Sequence, residues 1–212
     1  MVNYIQKLIA QGEHQHLDFK FTISDACHIA ESFTAFANAT GGKLLVGVKD
    51  NGAIAGVRTD EELYMLNAAA SYYCSPPVPY SVRAWDCRRK TVLEVNIPEG
   101  KRKPYYVKRK NNQPPVAYIR IADNNVKVCN IQLMVWKKQK NPSGLCIMDT
   151  ENIGWLLTYL EKYPYISILT VSRQLMISYK MAVRLLADLV YLDFLEIDYQ
   201  NNKVWFRVKR KT

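Results

Sequence analysis

The sequence predicts a mixed α/β domain followed by a smaller domain of helices and one hairpin. Residues 16–21 alternate apolar and polar side chains, which is the period of a half-buried strand, and helix, strand and turn signals follow closely. Residues 140–149 then combine Pro and Gly without a clear period, and amphipathic helices follow them. A chain of 212 residues is long enough for two cores. We therefore expect domains at residues 1–139 and 150–212, joined by a linker at residues 140–149.

The first strand carries its apolar and polar side chains on opposite faces. Its alternation puts Leu17, Phe19 and Phe21 on one predicted buried face. Asp18 and Lys20 then share the other face.

A helix and a second strand are predicted next. Ser24 can cap the helix, and Gly41-Gly42 can supply the positive φ that a helix end favours. Residues 44–48 read as a short apolar strand, and the turn signal Asp50-Asn51-Gly52 leads into a hairpin partner at residues 53–57. Asp50 is therefore expected at a strand end.

Several short motifs follow one another in this stretch in a specific order. They are Glu13, Asp18-Phe19-Lys20, Ala35–Asn38, Gly41-Gly42, Gly47-Val48 and Asp50. Together they resemble the AlbA-like DNA-binding domain of the Schlafen family and its bacterial relatives. Relatives usually carry Glu where this chain has Asp18.

The resemblance implies a site made of three acids, Glu13, Asp18 and Asp50. In Schlafen proteins that cleave RNA, the equivalent acids form a metal-dependent nuclease site, so these three are the candidate catalytic and metal-binding residues. Lys20 is a fourth catalytic candidate, because it can offset their charge or position a phosphate. Carboxylates suit Mg²⁺ or Mn²⁺, and such an ion can activate water. The alternative is that the acids are ordinary surface charges, with Asp50 serving the turn.

Further elements follow the turn. Residues 59–74 open with a Thr59 cap and three acids, as a helix does. Residues 80–100 read as a hairpin, and two short strands at residues 105–108 and 117–121 bracket a basic loop. A helix is expected at residues 126–139.

The positive charge of the chain is concentrated in one segment. The net charge is +10, and residues 101–145 hold 11 Lys/Arg against one acid, whereas residues 1–100 balance to −2 and residues 146–212 to +2. Basic residues interleaved with Tyr105, Tyr106 and Tyr118 are what binding phosphates and stacked bases requires. The alternative is a solvated hairpin with buried tyrosines. The predicted nucleic-acid contacts of this segment are Lys101, Arg102, Lys103, Tyr106, Lys108, Arg109, Lys110 and Arg120.

Relatives also carry an aromatic, basic stretch at this place, followed by a short polar turn. Their Gly-Ser/Thr turn is replaced here by Ala122–Asn125. A phosphate-cradling role for that turn is therefore not expected.

The C-terminal residues resemble a winged helix-turn-helix domain. Helices are predicted at residues 150–162, 167–175 and 178–190, and residues 196–208 would be the wing hairpin. In such domains the third helix enters the DNA major groove. The candidate DNA contacts are Tyr179, Lys180, Arg184 and Lys203. Many winged helices serve instead in dimerisation, so a homo-oligomer is the alternative.

The composition and motifs of the chain argue against several classes of protein. No apolar run approaches the roughly 20 residues of a membrane span. Five widely spaced cysteines without metal-ligand spacing fit free thiols in the cytoplasm. The chain lacks a G-x-x-x-x-G-K-[ST] loop, which argues against a nucleotide hydrolase. We expect a cytoplasmic nucleic-acid-binding protein, DNA before RNA, with a role in transcription regulation; the alternative is a divalent-metal nuclease.

Overall fold

The computed structural model describes residues 4–109, 113–141, 150–200 and 203–209. The chain divides into two units, Met1–Val128 and Cys129–Thr212. This division differs from the predicted boundary at residue 139, and residues 142–149 of the predicted linker lie outside the described residues. The assignment of domains stays a prediction.

A mixed sheet forms the frame of the first unit. In chain order, the elements of this unit are α1 (Tyr4–Ile9), β1 (Leu17–Lys20), α2 (Ala26–Asn38), β2 (Gly42–Val46), α3 (Thr59–Asn67), a π-helical segment (Ala68–Tyr73), β3 (Cys74–Ser75), β4 (Ser81–Asp86), β5 (Thr91–Ile97), β6 (Tyr106–Val107), β7 (Tyr118–Ile121) and β8 (Asn124–Lys127). The sheet has the order β1-β2-β5-β4, with β1 and β2 parallel and the other pairs antiparallel. The predicted α/β frame and the hairpin of β4 and β5 are confirmed.

The helix α2 covers one face of this sheet. Phe33 and Phe36 pack with Leu44, Leu93 and Val95, and all five side chains are fully buried. Each such side chain contributes roughly 1.5–3 kcal/mol by leaving water. This core fixes both ends of α2 relative to the sheet.

The ends of α2 differ in detail from the prediction. Asp25, rather than Ser24, is the cap, because its side chain accepts a hydrogen bond from the backbone N of Cys27 at 2.8 Å. Beyond the other end, Gly41 has a φ of +75°, and a Cβ there would lie 2.8 Å from the carbonyl oxygen of Ile97. Only glycine fits that close approach of two backbones.

The helix α1 covers the opposite face. Its Ile5 packs with Leu17, Phe19 and Leu45, all of them buried. Phe21 was predicted to join them, but β1 ends at residue 20 and the Phe21 side chain is 50% exposed. The prediction for Phe21 is therefore wrong.

The predicted hairpin partner at residues 53–57 does not form a strand. An isolated bridge joins Val48 and Ile54, and the backbone N groups of Lys49 and Ala55 donate to the carbonyl oxygens of Ala53 and Gly47. Both edges of β2 are already taken, by β1 and β5, so that no ladder position is left for a further strand.

The basic segment also pairs differently from the prediction. β6 pairs with β3, and β7 pairs with β8 through a turn at residues 122–123. Residues 124–127 therefore belong to a strand, and the following helix begins at Asn130 rather than at residue 126. The cause is the positive φ of Ala122, +52°, which turns the chain back on β7.

A buried carboxylate ties α1 to the sheet. Glu94 on β5 accepts hydrogen bonds from Lys43 Nζ at 2.6 Å, from the Tyr4 hydroxyl at 2.8 Å and from Trp85 Nε1 at 2.9 Å. Burial alone would raise the pKa of Glu94, but these three donors hold it below its ordinary value. The carboxylate is thus stabilised in its charged form.

The Glu94 network gives stability a pH dependence. Because the folded pKa of Glu94 is lowered, its contribution is present above the unfolded pKa and is lost as the pH falls through the folded value. We expect urea unfolding of the wild type to show a loss of stability below about pH 4.5. Glu94→Gln should flatten that loss and cost about 1–2 kcal/mol at pH 7. If the loss of stability at low pH is the same in Glu94→Gln as in the wild type, Glu94 is not its cause.

The second unit contains four described helices and a hairpin. They are α4 (Asn130–Lys140), α5 (Thr150–Lys162), α6 (Ile168–Gln174), α7 (Tyr179–Tyr191), β9 (Leu195–Gln200) and β10 (Lys203–Val208). The predicted helices of residues 150–190 and the hairpin are present, with Ser167 and Ser178 as caps. α4 belongs to this unit, since Ile131 and Val135 share a buried cluster with Leu186. Winged-helix character stays a prediction.

None of the helices in the described ranges has the length and apolar character needed to cross a membrane.

Candidate nucleic-acid interface

A buried ion pair lies where the sequence predicted an exposed acid. Asp18 is 3% exposed and Arg120 is 2% exposed. Arg120 NH2 donates to Asp18 Oδ1 at 3.3 Å and to the carbonyl oxygen of Leu17 at 3.2 Å. The polar face of β1 is thus covered by the β7–β8 hairpin.

Two polar side chains close this pair into a ring. Ser32 Oγ donates to Asp18 Oδ2 at 3.3 Å, and Asn125 Nδ2 donates to Ser32 Oγ at 3.0 Å. Arg120 NH1 donates in turn to Asn125 Oδ1 at 3.0 Å. The ring joins β1, α2, β7 and β8 through side-chain hydrogen bonds, although the buried Nε of Arg120 has no partner in it.

Glu13 and Lys20 flank Asp18. Lys20 Nζ lies 2.8 Å from Asp18 Oδ2, and Glu13 Oε1 accepts a hydrogen bond from the backbone N of Phe19 at 2.7 Å. Burial, followed by the contact with the Asp18 carboxyl, raises the pKa of Glu13. Two of the predicted acids are therefore neighbours, and a lysine offsets part of their charge.

The structure does not offer a ready metal site at the three acids. Both oxygens of Asp18 are engaged by Arg120, Lys20 and Ser32. Asp50 is exposed after β2. Within the part of the chain that the structure describes, no group of three or more His, Cys, Asp or Glu side chains is placed to hold an ion. These donors do not fit a bound Mg²⁺ or Mn²⁺ as they stand, and nuclease activity stays a prediction.

Asn38 anchors the basic segment. Its Nδ2 donates to the carbonyl oxygens of Tyr105 and Tyr118, both at 2.8 Å, and its Oδ1 accepts from the backbone N of Tyr105 at 2.8 Å. The Asn38 side chain is fully buried, so these three bonds satisfy backbone groups that water cannot reach. The last residue of the Ala35–Asn38 motif thereby positions both ends of the predicted interface.

The predicted contacts of this segment fall into three groups. Lys101, Arg102 and Lys108 are exposed, and Tyr106 is half-buried. Lys103 and Arg109 are engaged in ion pairs, with Glu99 at 2.7 Å and Glu31 at 3.2 Å respectively. Arg120 is buried against Asp18, and Lys110 lies outside the described residues. A buried guanidinium does not reach a phosphate, so Arg120 is a structural residue.

Two of the three tyrosines of the basic segment are not available for stacking, whereas Tyr106 is half-buried. Tyr105 and Tyr118 are buried. The Tyr118 hydroxyl donates to Glu31 Oε1 at 2.8 Å and bonds to Arg109 NH2. Burial, together with the hydrogen bond to Glu31, raises the pKa of Tyr118 to about 12. Of the two alternatives for these tyrosines, the structure supports the buried one.

The predicted contacts of the second unit are all on the surface. Tyr179, Lys180 and Arg184 are exposed on α7, and Lys203 is exposed on β10. Met181 on the same helix is also partly exposed, at 41%. The face is therefore mixed in character, with two charges among apolar side chains.

Sequence reasoning missed residues that hold the site together. Glu31 and Ser32 lie on a helix, and their hydrogen-bond partners are about 90 residues away in the sequence. Helical periodicity cannot predict such distant partners. Tyr72 was missed as well, although Lys108 Nζ lies 5.8 Å from its ring centre. The three tyrosines within residues 64–73 were the only signal, and their spacing was interpreted as helical.

Comparison with known proteins gives one family and a partial structural likeness. The family model described as Schlafen, AlbA_2 matches residues 13–130. No curated protein matches this chain.

Two solved structures are similar to part of the chain. The crystal structure of the DIP2311 protein from Corynebacterium diphtheriae has 19% identity and a TM-score of 0.45, covering 61% of this chain and 24% of that one. The solution NMR structure of the N-terminal domain of a RecG-related protein from Nitrosomonas europaea has 22% identity and a TM-score of 0.43, covering 60% of this chain and 94% of that one. The match therefore spans about a quarter of the first protein's length.

Proposed function

Because the matching family model covers more than half of its residues, this chain belongs to the Schlafen, AlbA_2 family, and we propose that it binds nucleic acid mainly through phosphate contacts. The observation that carries the proposal is the excess of seven positive charges within residues 101–128 of the first unit, where eight Lys/Arg stand against one acid. A charge excess confined to one segment marks a polyanion-binding surface, whereas a solubility charge is spread over the chain.

Not all of the basic side chains counted here can contact phosphate, because some are already paired with carboxylates. Lys103, Arg109 and Arg120 are committed to carboxylates of the first unit. Lys101 and Lys108, in contrast, are exposed, and they lie within four residues of Tyr105, whose backbone Asn38 holds. These two lysines, with Arg102, are the phosphate contacts in our proposal.

For the second unit, we propose a winged helix-turn-helix domain that binds duplex DNA. α6 and α7 are joined by residues 175–178, the four-residue connection typical of a helix-turn-helix, and the β9–β10 hairpin follows. Tyr179, Lys180 and Arg184 would then enter the major groove, with Lys203 on the wing. DNA binding of this kind would suit a transcription regulator, and a dimerisation module is the competing role.

Charge reversal at the first unit tests the proposal. Lys101→Glu/Lys108→Glu should lower affinity for duplex and single-stranded DNA of any sequence by roughly tenfold or more, because phosphate contacts carry no sequence information. Fluorescence anisotropy with labelled oligonucleotides at low salt measures this.

A matched control separates local contacts from overall charge. Lys7→Glu/Lys162→Glu makes the same change in net charge at two exposed lysines elsewhere. We expect it to weaken binding much less. Equal losses in the two variants would show that residues 101–109 are not a specific phosphate surface.

A further inference from the structure

A groove in the first unit lies beside the basic segment. It has a volume of about 690 Å³ and is bordered by the start of α2, by α3 and by the π-helical segment. A volume of this size falls within the range of small-ligand sites. A volume of this size is sufficient for one nucleotide.

Two exposed tyrosine rings line this groove. Tyr64 is 74% exposed and Tyr72 is 68% exposed. Tyr73 holds the Tyr72 ring by an edge contact, with ring centres 5.1 Å apart and planes at 87°. Exposed apolar surface grouped around a concavity is typical of ligand-binding grooves. The π-helical turn that carries Tyr72 is a conformation found frequently at functional sites.

A cation of the basic segment is fixed at the rim. Lys108 Nζ lies 5.8 Å from the centre of the Tyr72 ring. The backbone N of Lys108 donates to the carbonyl oxygen of Tyr73 at 2.8 Å, and Cys27 Sγ donates to the carbonyl oxygen of Lys108. The main chain around the lysine is thus tied to both walls of the groove. An aromatic face and an ammonium group are therefore held next to each other.

We propose that this groove binds an unpaired nucleotide of a single-stranded nucleic acid, with its base stacked on Tyr72 and its phosphate on Lys108. This inference rests on the proposed nucleic-acid binding and adds its substrate class. Bases in a duplex have both faces covered by their neighbours, so only an unpaired base can offer a face to tyrosine. Stacking is tolerant of base identity, which fits a contact without sequence preference.

Removal of the Tyr72 ring tests the inference. Tyr72→Leu should weaken binding of a single-stranded oligonucleotide by roughly 5- to 100-fold and leave duplex binding within about twofold. Tyr72→Phe keeps the ring and should bind as the wild type does. Tyr163→Leu removes a comparably exposed tyrosine of the second unit and should also change nothing. A circular-dichroism melt of each variant establishes that it is folded.

The outcomes separate this inference from the broader proposal. If Tyr72→Leu binds single strands as tightly as Tyr163→Leu does, the groove is not a nucleotide site. If Lys101→Glu/Lys108→Glu still loses affinity in that case, the proposal of phosphate binding is retained. If the wild type binds no oligonucleotide, both proposals fail. Ser71→Trp places a bulky ring on the groove wall and is a second test of the inference. Unchanged single-strand affinity in that variant would also overturn the inference.

Discussion

Asp18→Leu should lower the free energy of unfolding by about 3–5 kcal/mol, because it leaves the guanidinium of Arg120 buried without a counter-charge. Arg120 is 2% exposed, and its remaining partners are all neutral: it donates hydrogen bonds to oxygens of Leu17 and Asn125 and lies 5.2 Å from the ring centre of Phe36. Neutral acceptors do not offset a full charge in the interior. We expect the melting temperature to fall by roughly 10 °C or more. Thermal and urea unfolding measure both quantities.

The double variant Asp18→Leu/Arg120→Met shows whether the loss comes from the unpaired charge. Replacing both partners with apolar groups of similar volume is often nearly neutral, so most of the stability should return. Asp123→Leu is the control at an exposed aspartate and should have little effect. If the double variant is as unstable as the single one, the loss reflects packing at position 18 and the charge argument is wrong.

Asn38→Leu should also strongly lower the free energy of unfolding of the first unit. It removes the partner of three backbone groups, the N and O of Tyr105 and the O of Tyr118. Each buried group left without a hydrogen bond costs about 1–3 kcal/mol, so the total loss should be about 3 kcal/mol or more. Urea unfolding gives the value, and Asn96→Leu at an exposed position of β5 is the control.

The same variant should affect binding beyond its effect on stability. Asn38 anchors the residues that flank Lys101 and Lys108, so its loss should make the segment more mobile. Under conditions where Asn38→Leu is still folded, we expect faster hydrogen exchange of residues 105–118 and weaker nucleic-acid binding. Native-like exchange in this segment would mean that Asn38 does not position it.

Local patterns were sufficient to predict the frame of the fold. The alternation of Leu17 and Phe19, the apolar face of α2 and the serine caps of α6 and α7 are all set by neighbours within a few residues. Such patterns report directly on local structure. The Schlafen-like motifs also include Asn38, but they did not predict that its side chain anchors the basic segment.

Long-range contacts account for most of what the sequence could not predict. Alternation placed Asp18 opposite the buried face, but the β7–β8 hairpin covers that side too, through Arg120 from about 100 residues away. The start of α4 was misplaced because residues 124–127 gain their strand conformation only by pairing with β7. Composition likewise left open whether Tyr105 and Tyr118 stack on bases or are buried, and contacts with Asn38 and Glu31 hold both in the interior.

The salt dependence of binding shows whether phosphate contacts hold the nucleic acid on this protein. The logarithm of the binding constant should fall linearly with the logarithm of salt concentration, because phosphate contacts release counterions. If Lys101 and Lys108 each contact one phosphate, Lys101→Glu/Lys108→Glu should reduce the magnitude of that slope by about two, while Lys7→Glu/Lys162→Glu leaves it unchanged. A slope that is the same in the wild type and in Lys101→Glu/Lys108→Glu would contradict nucleic-acid binding through this surface.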